Sequence, residues 1–222
     1  MSAVLFGSIS TIADTSELQR EAFNKAFVAH DVNWVWDRSD YLAMLDKSGG
    51  RDRIAAYAQS RGESVDADAI HRTKSEIFQR DLAESNIVPR DDVAQTIQDA
   101  VDAGMLVGLV TTTSRRNISA MLDALHPQIR VDQFDIIVDV TDVDQRKPAG
   151  DAYEFALTSL HVKSDDCVAI EDNIEGVRAA QAAGITCVAF PNANTSGQDF
   201  AAADRRVHQV QFDELASLIT AN

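Results

Sequence analysis

Short apolar runs alternate along the chain with stretches of helical periodicity, and this alternation constrains the fold more than any other feature. Each run is rich in β-branched or aromatic residues and is followed by polar residues, which is typical of buried parallel strands. The runs are AVLF (3–6), LVGLVT (106–111), FDIIVDV (134–140), CVAI (167–170) and CVAF (187–190). Helical stretches occur around 115–125, 150–160, 174–183 and 212–220. The pattern predicts an α/β fold with a Rossmann-like parallel sheet.

Residues 15–90 interrupt the alternation, because they show helical periodicity without a convincing strand. We therefore predict two domains. The α/β core comprises residues 1–14 and 91–222, and an all-helical cap comprising residues 15–90 is inserted after the first strand.

The composition limits the classes of partner. The chain has 222 residues and a net charge of −15, which repels phosphate backbones and anionic lipids, so we expect no nucleic acid and no membrane partner. We recognise no secretion signal and no membrane-spanning segment, and the cytoplasm is therefore the expected location. Cys167 and Cys187 lie inside apolar runs and are predicted to be buried strand thiols.

Polar residues follow four of the predicted strands, at the edge where an open α/β sheet binds its ligands. They are Gly7 to Thr11 after the first strand, Thr111 to Asn117 after the second, Lys147 after the third, and Glu171 with Asp172 after the fourth. Hydroxyl groups at a helix start can bind an anion, although Ser114 or Thr113 could serve only as an N-cap. Paired acids at a strand end often hold Mg²⁺, but they could equally cap the next helix or pair with Lys147.

Together and in this order, these residues resemble the motifs of the haloacid dehalogenase superfamily of phosphatases. Thr111 matches the second motif, Lys147 matches the third, and Glu171 with Asp172 matches the acidic pair of the fourth. The resemblance implies a core of the haloacid dehalogenase type in which Thr111, Thr112 and Lys147 bind phosphate.

The insertion of helices after the first strand matches the subgroup that includes β-phosphoglucomutase and phosphoglycolate phosphatase, and the segment NWVWDRSDYLAMLDKSGGRDRI (33–54) narrows the resemblance further. Within this subgroup, the segment is similar to the sugar-bisphosphate phosphatases associated with the Calvin cycle, which act on substrates such as xylulose-1,5-bisphosphate. The residues that support this similarity are Trp34, Trp36, Tyr41, Gly49, Gly50, Arg51 and Arg53. The resemblance implies that Arg51 and Arg53 hold a second phosphate from the cap. For Trp34 and Trp36, packing under the cap is favoured over a ligand platform.

The first motif of that family, Asp-x-Asp-Gly-Thr, is altered here. Gly7 stands at the position of the nucleophile and Ile9 at that of the general acid/base, whereas Thr11 is kept. In the family, the first carboxylate attacks phosphorus and the second protonates the leaving oxygen. Glycine and isoleucine can do neither, and losing residues that act as a unit costs about a million-fold in rate. We therefore expect a sugar-phosphate phosphatase-like protein with no intact catalytic residue and without normal turnover.

The metal site that the resemblance implies is reduced in the same way. Asp172, Glu171 and the Ile9 carbonyl are what is left of it, because the nucleophile carboxylate is missing. Mg²⁺ demands several converging oxygen ligands. We therefore expect no cofactor, and Mg²⁺ only if this residual acidic site still binds it weakly.

Three functions stay open at this point. The first is a non-catalytic protein that binds a phosphorylated small molecule. The second is an active hydrolase with Ser8 or Ser10 as its nucleophile, although a serine needs a neighbouring base and none of the histidines lies in the strand-end motifs. The third is a protein–protein scaffold without a small ligand, whose partner the sequence does not identify.

Overall fold

The computed structural model describes residues 1–45 and 49–220, so residues 46–48 of the predicted cap and 221–222 of the predicted core lie outside the described residues. The strands are β1 (Ala3–Phe6), β2 (Leu106–Val110), β3 (Ile136–Val138), β4 (Cys167–Glu171), β5 (Thr186–Ala189) and β6 (Arg205–Arg206). The helices are α1 (Ile9–Ile12), α2 (Ser16–Ala29), α3 (Arg38–Ala43), α4 (Gly50–Arg61), α5 (Ala67–Glu84), α6 (Val93–Asp102), α7 (Arg115–Leu125), α8 (Asp151–Leu160), α9 (Ile174–Ala182) and α10 (Phe212–Thr220).

The strands form one parallel sheet in the order β3-β2-β1-β4-β5-β6. This confirms the predicted Rossmann-like fold class and the five predicted strands. The third strand is shorter than the predicted run 134–140, because the chain turns at Asp139, whose N–H donates to the Asp142 carboxylate at 2.8 Å. The two-residue strand β6 was not predicted, since RR has no apolar pattern.

Burial of the sheet on both faces explains the continuous apolar runs. In β1, Val4 and Phe6 belong to one buried hydrophobic cluster, whereas Ala3 and Leu5 belong to another. Alternate side chains of a strand point to opposite faces, so both faces of this strand are covered. Cys167 and Cys187 are buried free thiols, as predicted.

Helices α2 to α5 lie between β1 and β2 and enclose a separate aromatic cluster. Trp36 is fully buried and meets the Phe27 ring edge-on, with 4.7 Å between ring centroids. The Trp34 indole N–H donates to Glu63 at 2.7 Å. The two tryptophans therefore pack inside the insertion, as predicted. The division into two domains at residues 14/15 and 90/91 stays a prediction.

The sheet order reverses at β1, which lies between β2 and β4. Phe6 is in register with Leu109 on one side and with Ile170 on the other. Ligands of such sheets bind in the crevice outside the carboxyl ends of the strands at the reversal point. The fold therefore places the residues after β1, β2 and β4 in one crevice. Within the described part of the chain, no helix is long and apolar enough to cross a bilayer.

Candidate functional site

A cavity of about 510 Å³ lies at this crevice, between the strand ends and the helices of the insertion. Its floor includes Gly7 to Ser10, Thr111 to Ser114, Lys147 and Asp172. The insertion contributes residues of α2, α4 and α5 to its other side. Most strand-end residues predicted from the sequence are thus brought together, but Thr11 and Glu171 are buried rather than lining the cavity, and Arg115 does not line it either.

The carboxyl group of Glu171 fills the space next to Gly7. A Cβ atom built on Gly7 would lie 2.1 Å from the Glu171 carboxyl carbon and 2.5 Å from the Tyr153 hydroxyl, so a side chain at position 7 would require these groups to shift. A Cβ atom on Gly176, at the start of α9, would lie 2.0 Å from Glu171 Oε2. The two glycines therefore form the walls that hold this carboxyl group.

Lys147 and Tyr153 supply the polar partners of Glu171. Lys147 Nζ donates to Glu171 Oε1 at 2.5 Å, and the Tyr153 hydroxyl donates to the same oxygen at 2.8 Å. Lys147 Nζ also donates to the backbone carbonyls of Gly7 and Val110. Burial raises the pKa of the Glu171 carboxyl above its usual value, and the Lys147 ammonium opposes that shift. Lys147 thus has an internal counter-ion.

Ser8 and Asp172 are bound to each other. The Ser8 hydroxyl donates to Asp172 Oδ1 at 2.7 Å and accepts from the N–H groups of Ser10 and Thr11, which makes it the N-cap of α1. The Asn173 and Asn192 side-chain amides donate to Asp172 Oδ1 and Oδ2, at 3.0 and 3.1 Å. The serine oxygen is therefore occupied by three hydrogen bonds that hold the loop.

Ile9 has a hydrophobic environment. It is buried in the same cluster as Phe78 and Leu82 of α5, although part of it borders the cavity. An isoleucine at this position thus joins the core of the insertion to the core of the sheet, where a carboxylate would need polar partners.

The cavity surface is rich in cations, although the chain as a whole is acidic. We call five of these residues the cationic wall: Arg53, Arg72, Lys74, Arg116 and Arg146. The acidic residues at the cavity are Glu76 and Asp172. In a protein with a net charge of −15, such a local excess of positive charge favours an anionic ligand, because a cleft focuses the field of its own charges.

Lys74 and His71 face the cavity from α5 with lowered pKa values. Lys74 Nζ is buried, donates to Gln19 Oε1 at 2.9 Å and lies 4.8 Å from the ring centroids of both Phe23 and Phe78. Burial, with Arg53 as a smaller cause, lowers the pKa of Lys74 to about 7. Burial also lowers the pKa of His71 to about 4, so its imidazole is neutral at pH 7.

The structure separates the two arginines that were predicted to hold a second phosphate. Arg53 lines the cavity, and its Nε donates to the Met44 carbonyl at 3.1 Å. Arg51 is exposed, forms ion pairs with Asp52 and Asp68, and is not among the residues that line the cavity. The two arginines lie on different sides of α4, because residues i and i+2 of a helix do not share a face.

Other sequence predictions divide between ligand and structural roles. Thr111 and Thr112 line the cavity. Ser114 is the N-cap of α7 and accepts from the Asn117 N–H, while it also borders the cavity. Sequence reasoning missed Arg72, Lys74 and Arg146 as cavity residues. Their positive charge in an acidic chain could have indicated them, as could the position of Arg146 directly beside Lys147.

Comparisons with known proteins agree with this geometry. Residues 10–190 match the family model described as "Haloacid dehalogenase-like hydrolase", and the match begins directly after Ile9. The chain belongs to this family. It is 39% identical over 222 residues to the protein CbbY of Cereibacter sphaeroides, a match that covers 97% of this chain and 94% of CbbY. Its motifs thus lie in the same order as those of a hydrolase family, whereas positions 7 and 9 hold glycine and isoleucine.

Solved structures give the same relationship. A mutant of CbbY from Rhodobacter sphaeroides, in complex with xylulose-1,5-bisphosphate, has a TM-score of 0.87, 37% identity and 94% coverage of both chains. The β-phosphoglucomutase of Clostridium difficile has a TM-score of 0.80 at 19% identity, covering 100% of this chain and 98% of that one, which shows the shared fold. The chain is therefore close to CbbY within the haloacid dehalogenase-like hydrolases.

Members of this family generally use Mg²⁺, but the residues present here do not fit that ion. Glu171 is fully buried and paired with Lys147, and both oxygens of Asp172 already accept from side chains. Within residues 1–45 and 49–220, no group of three or more His, Cys, Asp or Glu side chains is placed to hold a metal. One carboxylate and a backbone carbonyl fall short of the near-octahedral oxygen set that Mg²⁺ requires.

Proposed function

We propose that this protein binds a phosphorylated sugar, of the sugar-bisphosphate class, and does not hydrolyse it. The observation that carries the proposal is the pairing of a cationic cavity with a β1 end that lacks both carboxylates. The cationic wall supplies charge for an anionic ligand, and related CbbY structures contain xylulose-1,5-bisphosphate or phosphate. Gly7 has no side chain that could attack phosphorus, and Ile9 cannot transfer a proton.

The locations of the cations support a ligand with two charged groups. Thr111 and Thr112, in the loop after β2, and Arg116, in the first turn of α7, border the cavity at the sheet side. Arg53 and Lys74 border it from α4 and α5 of the insertion. Because anion-binding groups come from both sides, a bisphosphate satisfies them better than a single phosphate does.

Isothermal titration calorimetry with xylulose-1,5-bisphosphate tests binding, and release of inorganic phosphate in the same samples tests turnover. We expect binding by the wild-type protein and no turnover. Arg53→Ala should weaken binding by about tenfold or more, since a hydrogen bond to a charged group contributes about 1.5–3 kcal/mol. Arg51→Ala is the matched control, because Arg51 lies two residues away and outside the cavity. The affinity of this variant for the bisphosphate should differ from that of the wild-type protein by less than about twofold.

The alternatives give different results in the same experiment. Phosphate release that disappears in Ser8→Ala or Ser10→Ala would establish an active hydrolase with a serine nucleophile. The hydrogen bond from Ser8 to Asp172 favours this alternative, but with the two hydrogen bonds that Ser8 accepts it leaves the hydroxyl fully bonded. Absence of binding to any sugar phosphate would favour a protein–protein scaffold.

The remaining predictions concern compartment and partners. A cytoplasmic location and the absence of nucleic acid and membrane partners stay predictions based on the sequence and its net charge of −15. Cell fractionation and a filter-binding assay with nucleic acid would test them.

A further inference from the structure

Both acidic side chains at the end of β4 have partners within the chain, although Glu171 Oε2, which packs against Gly176, accepts no hydrogen bond from the described residues. Glu171 is completely buried, and its Oε1 accepts from Lys147 and Tyr153. To reach the cavity, it would have to leave Lys147 as a buried cation without a partner. Breaking a buried ion pair in this way is strongly unfavourable.

Asp172 borders the cavity, but the loop groups around it already use its oxygens. Ser8 and Asn173 donate to Oδ1, and Asn192 donates to Oδ2. The Ser8 hydroxyl is itself the N-cap of α1, so withdrawing it from Asp172 would disturb the backbone of residues 8–11. These neutral donors take three of the about four lone-pair positions of the carboxylate.

From this arrangement we infer that the protein holds its phosphorylated sugar without a divalent cation. The inference rests on the proposed function. The negative charge of the ligand is balanced by the cationic wall, and no carboxylate at position 7 or 9 repels it. Because those two carboxylates are absent, a phosphate near the end of β1 does not meet their repulsion, and no metal ion is needed to offset it.

The space around Gly7 gives the inference a structural cause. Glu171 can pair with Lys147 in its present position because Gly7 and Gly176 leave room for its carboxyl group. A side chain at position 7 would displace that group by direct overlap, since the Cβ atom alone would lie 2.1 Å from it. Gly7 is thus coupled to Glu171: the glycine removes the nucleophile and also admits the internal acid that neutralises Lys147.

Two calorimetric titrations test the inference on the intact protein. In the first, MgCl₂ alone is added, and we expect no saturable binding. In the second, xylulose-1,5-bisphosphate is added in buffer with EDTA and again with MgCl₂, after correction for the Mg²⁺ that the sugar itself binds. The two dissociation constants should agree within about twofold, because the cationic wall acts in both buffers.

A pair of variants shows that the method would detect a metal. Gly7→Asp with Ile9→Asp returns two carboxylates to the site, and its melting temperature should rise with added MgCl₂ by linkage. Gly7→Asn with Ile9→Asn has side chains of nearly the same size without charge, and its melting temperature should not respond. The wild-type protein should behave like the asparagine variant.

The outcomes separate this inference from the proposed function. Binding of the bisphosphate that weakens more than about tenfold in EDTA would overturn the inference and leave the proposed function standing. Saturable binding of Mg²⁺ by the wild-type protein would also overturn it. Absence of bisphosphate binding in both buffers would overturn the proposed function and this inference together.

Discussion

The cationic wall and the end of β1 line the same cavity, but they offer different chemistry to a ligand. The wall presents Arg53, Arg72, Lys74, Arg116 and Arg146 from the insertion, α7 and the loop after β3. The β1 end presents glycine, a serine bonded to its own loop, and isoleucine. One surface therefore presents charges that can bind an anion, whereas the other presents no carboxylate at position 7 or 9.

Under the proposed function, this difference means that ligand binding and bond cleavage depend on separable residues in one cavity. Binding energy comes from many cations, each of which contributes a part. Covalent chemistry depends on a few carboxylates that act as a unit, so replacing them removes turnover without removing the binding surface. The predictions below change one surface at a time.

The largest expected effect comes from returning the carboxylates to the β1 end. In Gly7→Asp with Ile9→Asp, phosphate release from xylulose-1,5-bisphosphate in buffer with MgCl₂ should rise at least about a thousand-fold above the wild-type rate. The reason is that the double variant has a side chain for attack on phosphorus and another for proton transfer. A coupled assay for inorganic phosphate measures the rate.

The control is Gly7→Asn with Ile9→Asn, which should show no increase, because amides of similar size are far weaker nucleophiles and proton carriers. A folded aspartate double variant that binds the bisphosphate and still releases no phosphate would contradict the comparison. That result would mean that the cationic wall itself is no longer arranged for turnover.

The next effect is on stability and concerns Gly7 alone. Gly7→Ala should lower the free energy of unfolding by about 3 kcal/mol, because the new methyl group overlaps the Glu171 carboxyl. In a Glu171→Ala background, the same substitution should cost at least about 1 kcal/mol less, because the carboxyl atoms are gone and only the Tyr153 hydroxyl still overlaps the new methyl group. Urea denaturation of the four proteins measures this coupling; equal costs in both backgrounds would contradict the packing of Glu171 against Gly7.

Much of the fold was predictable because its signals are local. The apolar runs at 3–6 and 106–111 predict strands that the structure places at Ala3–Phe6 and Leu106–Val110. Ser114 is a helix N-cap, one of the two roles considered for it, since a serine before a helical stretch has the same effect in any fold. Strand-end residues converge because parallel strands end at the same edge of the sheet.

The position of the Glu171 side chain was not predictable in this way. An ion pair with Lys147 was one of several alternatives for Glu171, and the structure has this ion pair. It depends on the space that Gly7 and Gly176 leave for the carboxyl group, and these two glycines lie far apart in sequence. Arg53 and Arg51 could not be distinguished either, because their orientation depends on how α4 packs on Phe23 and Tyr41. Tertiary packing therefore determines both the position of the Glu171 side chain and the orientations of Arg51 and Arg53.

A smaller effect concerns the pH dependence of binding at Lys74. Its pKa of about 7 in the free protein means that the amine loses its proton as the pH rises above that value. A bound anion favours the protonated amine, so the affinity should fall with rising pH, by at most about tenfold per pH unit between the free and bound pKa values. Neighbouring His71, with a pKa of about 4, stays neutral across this range and adds no pH dependence.

Lys74→Arg is the control for this pH dependence. A guanidinium group stays protonated, so calorimetry between about pH 7 and pH 9 should give a nearly constant affinity for the arginine variant. The phosphate groups of the ligand are already doubly ionised above about pH 7 and do not change in that range. A wild-type affinity that is constant over the same range would show that Lys74 does not contribute its charge to the ligand.

The smallest effect distinguishes the helix cap from the ligand contacts in the loop after β2. Ser114→Ala removes the acceptor for the Asn117 N–H and should lower the free energy of unfolding by about 1 kcal/mol, with less than about a twofold change in affinity for the bisphosphate. Thr112→Ser keeps a hydroxyl in the cavity and Thr112→Ala removes it, so the alanine variant should bind several-fold more weakly than the serine variant, with stability nearly unchanged. If Ser114→Ala weakened binding as much as Thr112→Ala, the N-cap of α7 would itself be part of the ligand site, and the ligand-binding hydroxyls would extend from Thr112 to Ser114.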